Sequence, residues 1–436
     1  MTELKHIKVK SGAETRKLVE ASLRSRYRRE RRFQLYGISA VLASVAFVAF
    51  FFVTVISQGH TAFVQNYVQL DIYFDPDVID PDGERDPQVL ASANYKKLVK
   101  QSMAGMFPQV SGRKNIRTLN GLVSTGAVYE LQEIVTEDPT LIGSTRSLWF
   151  PADDELDMYL KGRVDASAAE KSRRFKDNQI AWTEKLRADD RIKLRFNTIF
   201  FTAGDSRDPE LSGIWAAAKG SIFMLFVTVI IAFPMGVAAA IYLEEFAPKN
   251  RWVDMIEVNI NNLAAVPSII FGLLGLAVFI NFFGLPRSAP LVGGLVLALM
   301  TMPTVIIASR GAIKAVPPSI REAALGLGAS RVQTVMHHVL PLALPGMLTG
   351  AILGLARALG ETAPLLMIGM VAFIVEIPQT PLDPSSALPV QIYLWADSPE
   401  RAFAERTSAA IMVLLAFLLV MNASAVWLRS RFERRW

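Results

Sequence analysis

Two charged residues, Arg357 and Glu361, stand alone inside a long apolar run at 339–375. They are four positions apart, so on a helix they share a face and can pair. A charge near the centre of a bilayer costs about 2.5–3.5 kcal/mol on insertion scales, so such groups usually face a bundle interior or a water-filled route. Two interpretations follow. Arg357 could offer its planar fork of donors to a passing oxyanion while Glu361 holds it in place, or the two could form a structural ion pair.

Catalytic motifs are absent from the sequence. It contains no Gly-x-x-x-x-Gly-Lys-Ser/Thr phosphate loop, no His-Glu-x-x-His and no Gly-x-Ser-x-Gly nucleophile turn. The chain has no cysteine and only four histidines, which leaves little material for a metal centre. We therefore expect a protein that is not an enzyme, that uses no cofactor, and that takes any energy it needs from another chain.

The elements that carry these residues must be membrane spans. The chain has 436 residues, of which 51% are hydrophobic, and they are gathered into long runs with few charges. A bilayer core of about 30 Å needs about 20 apolar residues of helix. The runs lie at 35–56, 220–243, 258–286, 288–309, 339–375 and 407–428.

The segment before the first run is strongly basic. Residues 1–34 hold eleven Lys and Arg against four Asp and Glu, and such flanks stay in the cytoplasm. Contact with anionic lipid is favoured over nucleic-acid binding because a span follows at once. A cleavable signal peptide has an apolar core of about 7–15 residues, shorter than this run, so we expect a retained anchor at 35–57.

Residues 58–213 have the composition of a soluble domain, and we place it in the periplasm, opposite the basic arm. Its acidic stretch at 71–86 contains prolines that break the alternating register of a calcium loop, so a solvated surface is the better interpretation. Residues 168–185 favour a helix, and 192–200 alternate like a strand. The pattern predicts a mixed α/β domain whose role stays open.

Counting crossings from the anchor places the loop at 310–338 in the cytoplasm. The run at 339–375 is too long for one straight span, but two crossings would put the basic tail at 429–436 outside. That tail carries Arg429, Arg431, Arg434 and Arg435, which favour the cytoplasm. We therefore predict one crossing with a bent or partly re-entrant continuation, six spans in all, a spanning domain at 214–428, and both termini in the cytoplasm.

The cytoplasmic loop has the features of a short surface helix followed by a new span. Ser319 and Glu322 are spaced as a capping box after two prolines, and Gly328 provides a turn. Leu340 and Pro341 then open the next span. The plain alternative is an amphipathic helix that merely joins two spans.

These residues resemble a known family. Glu322-Ala323-Ala324, Gly328 and Leu340-Pro341 are similar to the signature loop of permease subunits of bacterial ABC importers. The resemblance implies that these residues form a coupling helix that fits a groove on an ATPase subunit. One position departs from the pattern, because His338 stands where an apolar residue is expected, with Val339 beside it.

The run from Arg357 to Leu366 sharpens the resemblance. Arg357-Ala-Leu-Gly-Glu361-Thr362-Ala-Pro-Leu-Leu366 is similar to the PstA type of phosphate permease, and the segments at 242–245, 262–275 and 302–307 agree with it. This implies that Arg357, Glu361 and Thr362 lie on the translocation pathway. The resemblance covers roughly 200–428, and the longer N-terminal part is similar to an extended variant. We assign Pro267, Gly272, Gly275 and Pro303 to helix packing.

The resemblance implies an all-α polytopic membrane protein of ABC-importer permease type, with six transmembrane helices and a mixed α/β periplasmic insertion. It would sit in the bacterial inner membrane and import inorganic phosphate. Its expected partners are a second permease subunit, two ATP-binding subunits and a periplasmic phosphate-binding protein, without nucleic acid. Two alternatives stay open: a permease for another oxyanion, such as phosphonate, sulfate or molybdate, and a membrane-anchored periplasmic sensor.

Overall fold

The apolar runs fold into helices, since a chain in an apolar solvent must satisfy its backbone polar groups within the segment itself. The computed structural model describes residues 12–165 and 167–432. Within these ranges, five helices are long and apolar enough to cross a membrane, judged by length and composition. They are Glu20–Phe63, Trp215–Phe246, Pro290–Lys314, Arg331–Gly360 and Ala402–Arg431. The prediction of a mainly helical polytopic protein with a small mixed insertion is confirmed.

The first unit of the chain, up to Ser57, is helical in its described part. Helix α1 (Gly12–Gly59) contains both the described part of the basic arm and the predicted anchor without a break. The first eleven residues of the arm, and Arg434 and Arg435 of the tail, lie outside the described residues. The cytoplasmic location of both ends stays a prediction.

A three-stranded antiparallel sheet forms the centre of the predicted α/β domain. Its strands are β1 (Val64–Tyr73), β2 (Thr145–Pro151) and β3 (Ile192–Phe196), in the order β2-β1-β3. Alternate residues of β1, namely Val68, Leu70 and Ile72, are fully buried against the helices. The other face of β1 is partly exposed.

Short helices cover the buried face of the sheet and lead to the spans. They are α2 (Pro76–Ile79), α3 (Pro87–Ser92), α4 (Tyr95–Met106), α5 (Arg113–Asn120), α6 (Gly126–Glu137), α7 (Asp154–Leu160), α8 (Asp177–Ala188) and α9 (Thr198–Thr202). Single 3-10 turns lie at His60–Phe63, Pro139–Leu141, Glu170–Ser172 and Pro209–Leu211. The strand predicted at 192–200 ends at Phe196, and the helix predicted at 168–185 begins only at Asp177.

The membrane bundle follows. Its helices are α10 (Trp215–Ile241), α11 (Arg251–Ala265), α12 (Ser268–Gly275), α13 (Pro290–Lys314), α14 (Pro318–Gly326), α15 (Arg331–Thr334), α16 (Leu340–Gly360), α17 (Ala363–Met367), α18 (Leu388–Ala396) and α19 (Ala402–Phe432). Three π-helical turns connect to these helices. One continues α10 at Tyr242–Phe246, one continues α12 at Leu276–Phe282, and one joins α15 to α16 at Val335–Val339.

The third predicted span is not straight. Between α11 and α12 the chain bends by 100°, because Val266 is extended and Pro267 cannot continue the helix. Ile260 of α11 is buried against residues near the Lys314 end of α13 and the start of α16. The run at 258–286 therefore gives a sixth span only if the bent pair is counted as one crossing.

A buried polar junction joins the sheet domain to α19. Lys161 Nζ lies 2.6 Å from Asp157 Oδ2 and 2.9 Å from Glu405 Oε1 of α19. Asn66 donates twice to Asp157, at 2.9 Å from its backbone and its side-chain nitrogen. Glu210, which is 4% exposed, accepts a hydrogen bond of 2.6 Å from Ser124. Burial raises the pKa of Glu210 to about 7.

Small residues let α13 and α16 pack closely. Gly346, Gly350 and Gly354 of α16 repeat every fourth position and face Ala312, Ala308 and Thr301 of α13. A Cβ atom on Gly350 would lie 2.2 Å from the Cβ of Ala308. In lipid, where apolar burial gives little drive, such close contact supplies much of the association.

We predict that Gly350→Leu forces α13 and α16 apart, while Gly311→Leu on α13 does not, because a Cβ at Gly311 meets nothing within 4 Å. Overpacking of this kind costs about 1–3 kcal/mol. Thermal unfolding of the purified protein in detergent should show a melting temperature several degrees lower for Gly350→Leu alone. Equal melting temperatures for the two variants would contradict the close packing.

A second prediction concerns Glu210. Its folded-state pKa lies above the ordinary value of 4.5, so the folded protein retains a proton that the unfolded chain loses as the pH rises from about 4.5 to 7. Glu210 should therefore contribute a fall in stability of up to about 3 kcal/mol over that window. Glu210→Gln keeps an acceptor for Ser124 and should remove this loss.

The measurement is the melting temperature of both proteins at pH 5 and pH 8. The advantage of Glu210→Gln over the wild type should grow with pH. Glu137→Gln, on the exposed surface of the same domain, controls for the loss of a carboxylate. Parallel pH curves for the wild type and Glu210→Gln would refute the assignment.

Candidate functional site

Arg357 and Glu361 are in contact. Arg357 lies in the last turn of α16, and its Nε donates to Glu361 Oε1 at 3.3 Å. Glu361 follows the end of the helix in an extended conformation, so the pair forms across the helix terminus rather than along a helical face. The Arg357 side chain is 55% exposed and that of Glu361 is 18% exposed. The spacing of the two residues thus predicted their contact, but it did not predict that the helix ends between them.

The depth of Arg357 follows from the residues that face each other across α13 and α16. Gly346 faces Ala312, Gly350 faces Ala308 and Gly354 faces Thr301. Continuing this antiparallel register puts Arg357 near the level of Ala298, eight residues from the Pro290 end of α13. At 1.5 Å per residue that is about 12 Å along a helix of about 37 Å. The guanidinium therefore lies within the length of the spanning helices rather than at their end.

The segment directly after Arg357 does not continue as a spanning helix. Helix α16 ends at Gly360, and the short helix α17 follows. At its start, the Thr362 carbonyl accepts hydrogen bonds of 3.1 Å from the backbone nitrogens of Leu365 and Leu366. Pro364 packs on Gly272, where an added Cβ would meet it at 2.7 Å. The break between α16 and α17, at Gly360 and Pro364, therefore lies beside the site.

The segment at 361–387 then returns to the Pro290 end of the bundle. Ser288 Oγ donates to the Gly369 carbonyl at 2.6 Å, and the Leu291 nitrogen donates to the Pro381 carbonyl at 2.8 Å. Large apolar side chains of this segment, such as Phe373 at 48%, are exposed. We call residues 361–387 the return segment.

The predicted coupling residues lie on α14 and beyond it. Glu322 and Ala323 face solvent, whereas Ala324 is buried. Gly328 has a φ of +85°, a conformation that glycine adopts without steric cost. Leu325 and Leu327 are 46% and 90% exposed, so the loop presents apolar side chains that nothing in the described chain covers.

The helix start of this loop differs from the prediction. Pro317 is the N-cap of α14 and Pro318 its first residue, with no side-chain cap, so the predicted box of Ser319 and Glu322 is wrong. A capping box forms instead between Ser330 and Gln333 at the start of α15. Pro318 is itself favoured at the first helical position, which places the N-cap at Pro317, two residues before Ser319.

Leu340 and Pro341 form the first turn of α16, where Leu340 is partly buried in an apolar cluster. His338 is exposed and Val339 is 1% exposed. The π-helical turn just before α16 shifts the register by one residue. Val339 therefore fills the apolar position that His338 does not.

An ionic cluster at the Lys314 end of α13 was missed by the sequence argument. Arg310 donates to Glu244 at 2.5 Å and lies 2.6 Å from Glu257, and Arg321 donates to Glu245. The signal was present, since two glutamates end one span and an arginine lies near the end of an adjacent one. We call Glu244, Glu245, Glu257, Arg310, Lys314 and Arg321 the ionic cluster.

Comparison with known families agrees with this architecture. Residues 232–436 match the model described as "Binding-protein-dependent transport system inner membrane component". Residues 20–170 match a domain of unknown function (DUF3333). Three similar proteins are each 31% identical to this chain.

The first is the probable ABC transporter permease protein YqgI of Bacillus subtilis, aligned over 54% of this chain and 84% of the relative. The phosphate transport system permease protein PstA 1 of Mycobacterium tuberculosis aligns over 51% and 72%. The phosphate transport system permease protein PstA of Haemophilus influenzae aligns over 51% and 77%. Among solved structures, the MetNI methionine ABC transporter covers 51% of this chain and 98% of its own, at 18% identity and a TM-score of 0.42.

The chain belongs to the family of binding-protein-dependent transport system inner membrane components, the permeases of ABC importers. It is a multi-pass protein of the inner membrane. In such systems the ATPase is a separate subunit, so the chain itself is a transport permease and not an enzyme.

Proposed function

We propose that this chain is the permease subunit of an ATP-driven importer of inorganic phosphate and forms half of the translocation pathway. The observation that carries the proposal is the exposed guanidinium of Arg357, held by Glu361 within the length of the spanning helices. Relatives named phosphate transport system permease proteins support the substrate.

The chemistry of the pair suits phosphate. Among the described contacts, Arg357 donates to Glu361 through Nε. Both terminal nitrogens of Arg357 can therefore donate to an oxyanion. Phosphate at neutral pH also carries a P–OH group, which can donate to the Glu361 carboxylate. Sulfate and molybdate have no such proton at that pH. The pair can therefore favour phosphate, although a lone guanidinium would accept any of these anions.

The other half of the pathway would come from a second permease subunit. Leu353, Arg357 and Gly360 lie on one face of α16 and are exposed in this chain. A pathway between two permeases would cover this face and turn Arg357 toward the passing anion. Thr362, directly after Glu361, would line the same passage.

Two ATP-binding subunits would supply the energy, and a periplasmic phosphate-binding protein would deliver the substrate. The surface we assign to the ATPase is the exposed side of α14, with Glu322 and Ala323, together with Leu327 directly after the helix. Gly328 sets the turn after it, and Leu340 and Pro341 connect it to the next span. Another oxyanion is the second candidate, since Arg357 alone does not select phosphate.

We predict that Arg357→Gln lowers phosphate uptake by about tenfold or more, since a hydrogen bond to a charged group contributes about 1.5–3 kcal/mol. Uptake of labelled phosphate is measured in cells, and assembly is checked by co-purification of the ATPase subunit. Arg357→Lys, which keeps the charge but not the fork, should retain part of the activity.

The control is Arg187→Gln, which removes an exposed arginine of the sheet domain. Normal uptake by Arg357→Gln in an assembled complex would reduce the pair to a structural contact. It would also leave the transported anion unassigned.

A further inference from the structure

Arg321 has more partners than any other residue of the cytoplasmic loop. Its Nε and Nη2 donate to Glu245 Oε1 at 3.1 and 2.8 Å. Its terminal nitrogens also donate to the carbonyls of Val316 at 2.7 Å and Ile313 at 2.9 Å. One side chain thus joins α14 to the end of α13 and to the π-helical turn that ends α10.

A second arginine extends this connection. Arg310 of α13 binds Glu244 at 2.5 Å and Glu257 of α11 at 2.6 Å, and Lys314 lies 3.3 Å from Glu244. Glu244 and Glu245 are neighbours in the chain. The ionic cluster therefore links α10, α11, α13 and α14 through four adjacent charge pairs.

Helix α14 also contacts the π-helical turn Val335–Val339 that leads into α16, and its apolar attachment to the bundle uses two side chains. Ala324 is buried and Ile320 is partly buried, whereas Glu322 and Ala323 face solvent. The side chains of Arg321 and Glu245 are only 23% and 12% exposed. A shielded guanidinium with several fixed acceptors resists separation from them more than an exposed pair does.

We propose that Arg321 is a positioning residue that transmits movement of α14 to the spanning helices through Glu245. The ionic cluster then makes α10, α11 and α13 move with α14 when it is displaced. This inference rests on the proposed assignment of α14 to the ATPase. A direct ATPase contact by Arg321 is the rival explanation, and its low exposure and four internal hydrogen bonds disfavour it.

The test uses charge reversal in the complex with the ATPase subunits. The variants are Arg321→Glu, Glu245→Arg and the double reversal. Because the chain has no cysteine, Phe373→Cys in the return segment gives a single thiol in this chain, at the opposite end of the bundle. Its labelling by a membrane-impermeant maleimide is compared without nucleotide and with ATP plus vanadate.

In the parent with Phe373→Cys alone, nucleotide should change the labelling rate. Each single reversal should reduce that change by about tenfold or more, and the double reversal should bring it back to within about threefold, as expected of a directly coupled pair. Reversal of the exposed pair Arg187 and Glu184 controls for charge reversal itself and should leave the response unchanged.

A normal response in either single reversal would overturn the proposal. So would a double reversal that fails to recover the response, including one that fails to bind the ATPase, because Arg321 would then act other than through Glu245. The thiol readout needs no transported solute. If the reversals behave as expected but the unmodified chain takes up no phosphate, the proposed substrate is wrong while the role of Arg321 stands.

Discussion

The need to partner charge within an apolar bundle determines much of this structure. An unpaired charge inside a bilayer is costly, and the arginines at 310, 321 and 357 each contact a glutamate. The pair at Arg357 and Glu361 coincides with the end of α16, where the chain leaves helical geometry. The pairs at the other end hold the loop against the spans. The charge pairs thus lie at the end of α16 and at the cytoplasmic loop, where the chain departs from spanning helix.

Close packing of small residues brings the other helices of the bundle together. The glycines of α16 bring it against α13, and Gly272 brings α12 against Pro364 beside the helix break. In this closely packed pair of helices, Arg310 and Lys314 lie near one end of α13, and Arg357 of α16 lies about 12 Å from the other end. A movement of α14 that reaches α13 can therefore alter the surroundings of Arg357 without any flexible connection between them.

Hydropathy predicted the five long helices and the soluble insertion, because apolar length and charge are read directly from composition. It could not predict the 100° bend at Val266 and Pro267, since an apolar run does not encode direction. Spacing predicted the Arg357 and Glu361 contact but not that the helix stops between them. The ionic cluster was not predicted because Glu244 and Glu245 are far in sequence from Arg310 and Arg321, and they meet them only when α10 packs against α13.

The proposal that this permease carries phosphate is tested by deleting only this chain in its own organism. Uptake of labelled phosphate, sulfate and molybdate is then compared with that of the parent and of a strain in which the chain is restored. Phosphate uptake alone should fall, and it should return with the restored chain. Unchanged phosphate uptake, or a loss specific to sulfate or molybdate, would contradict it.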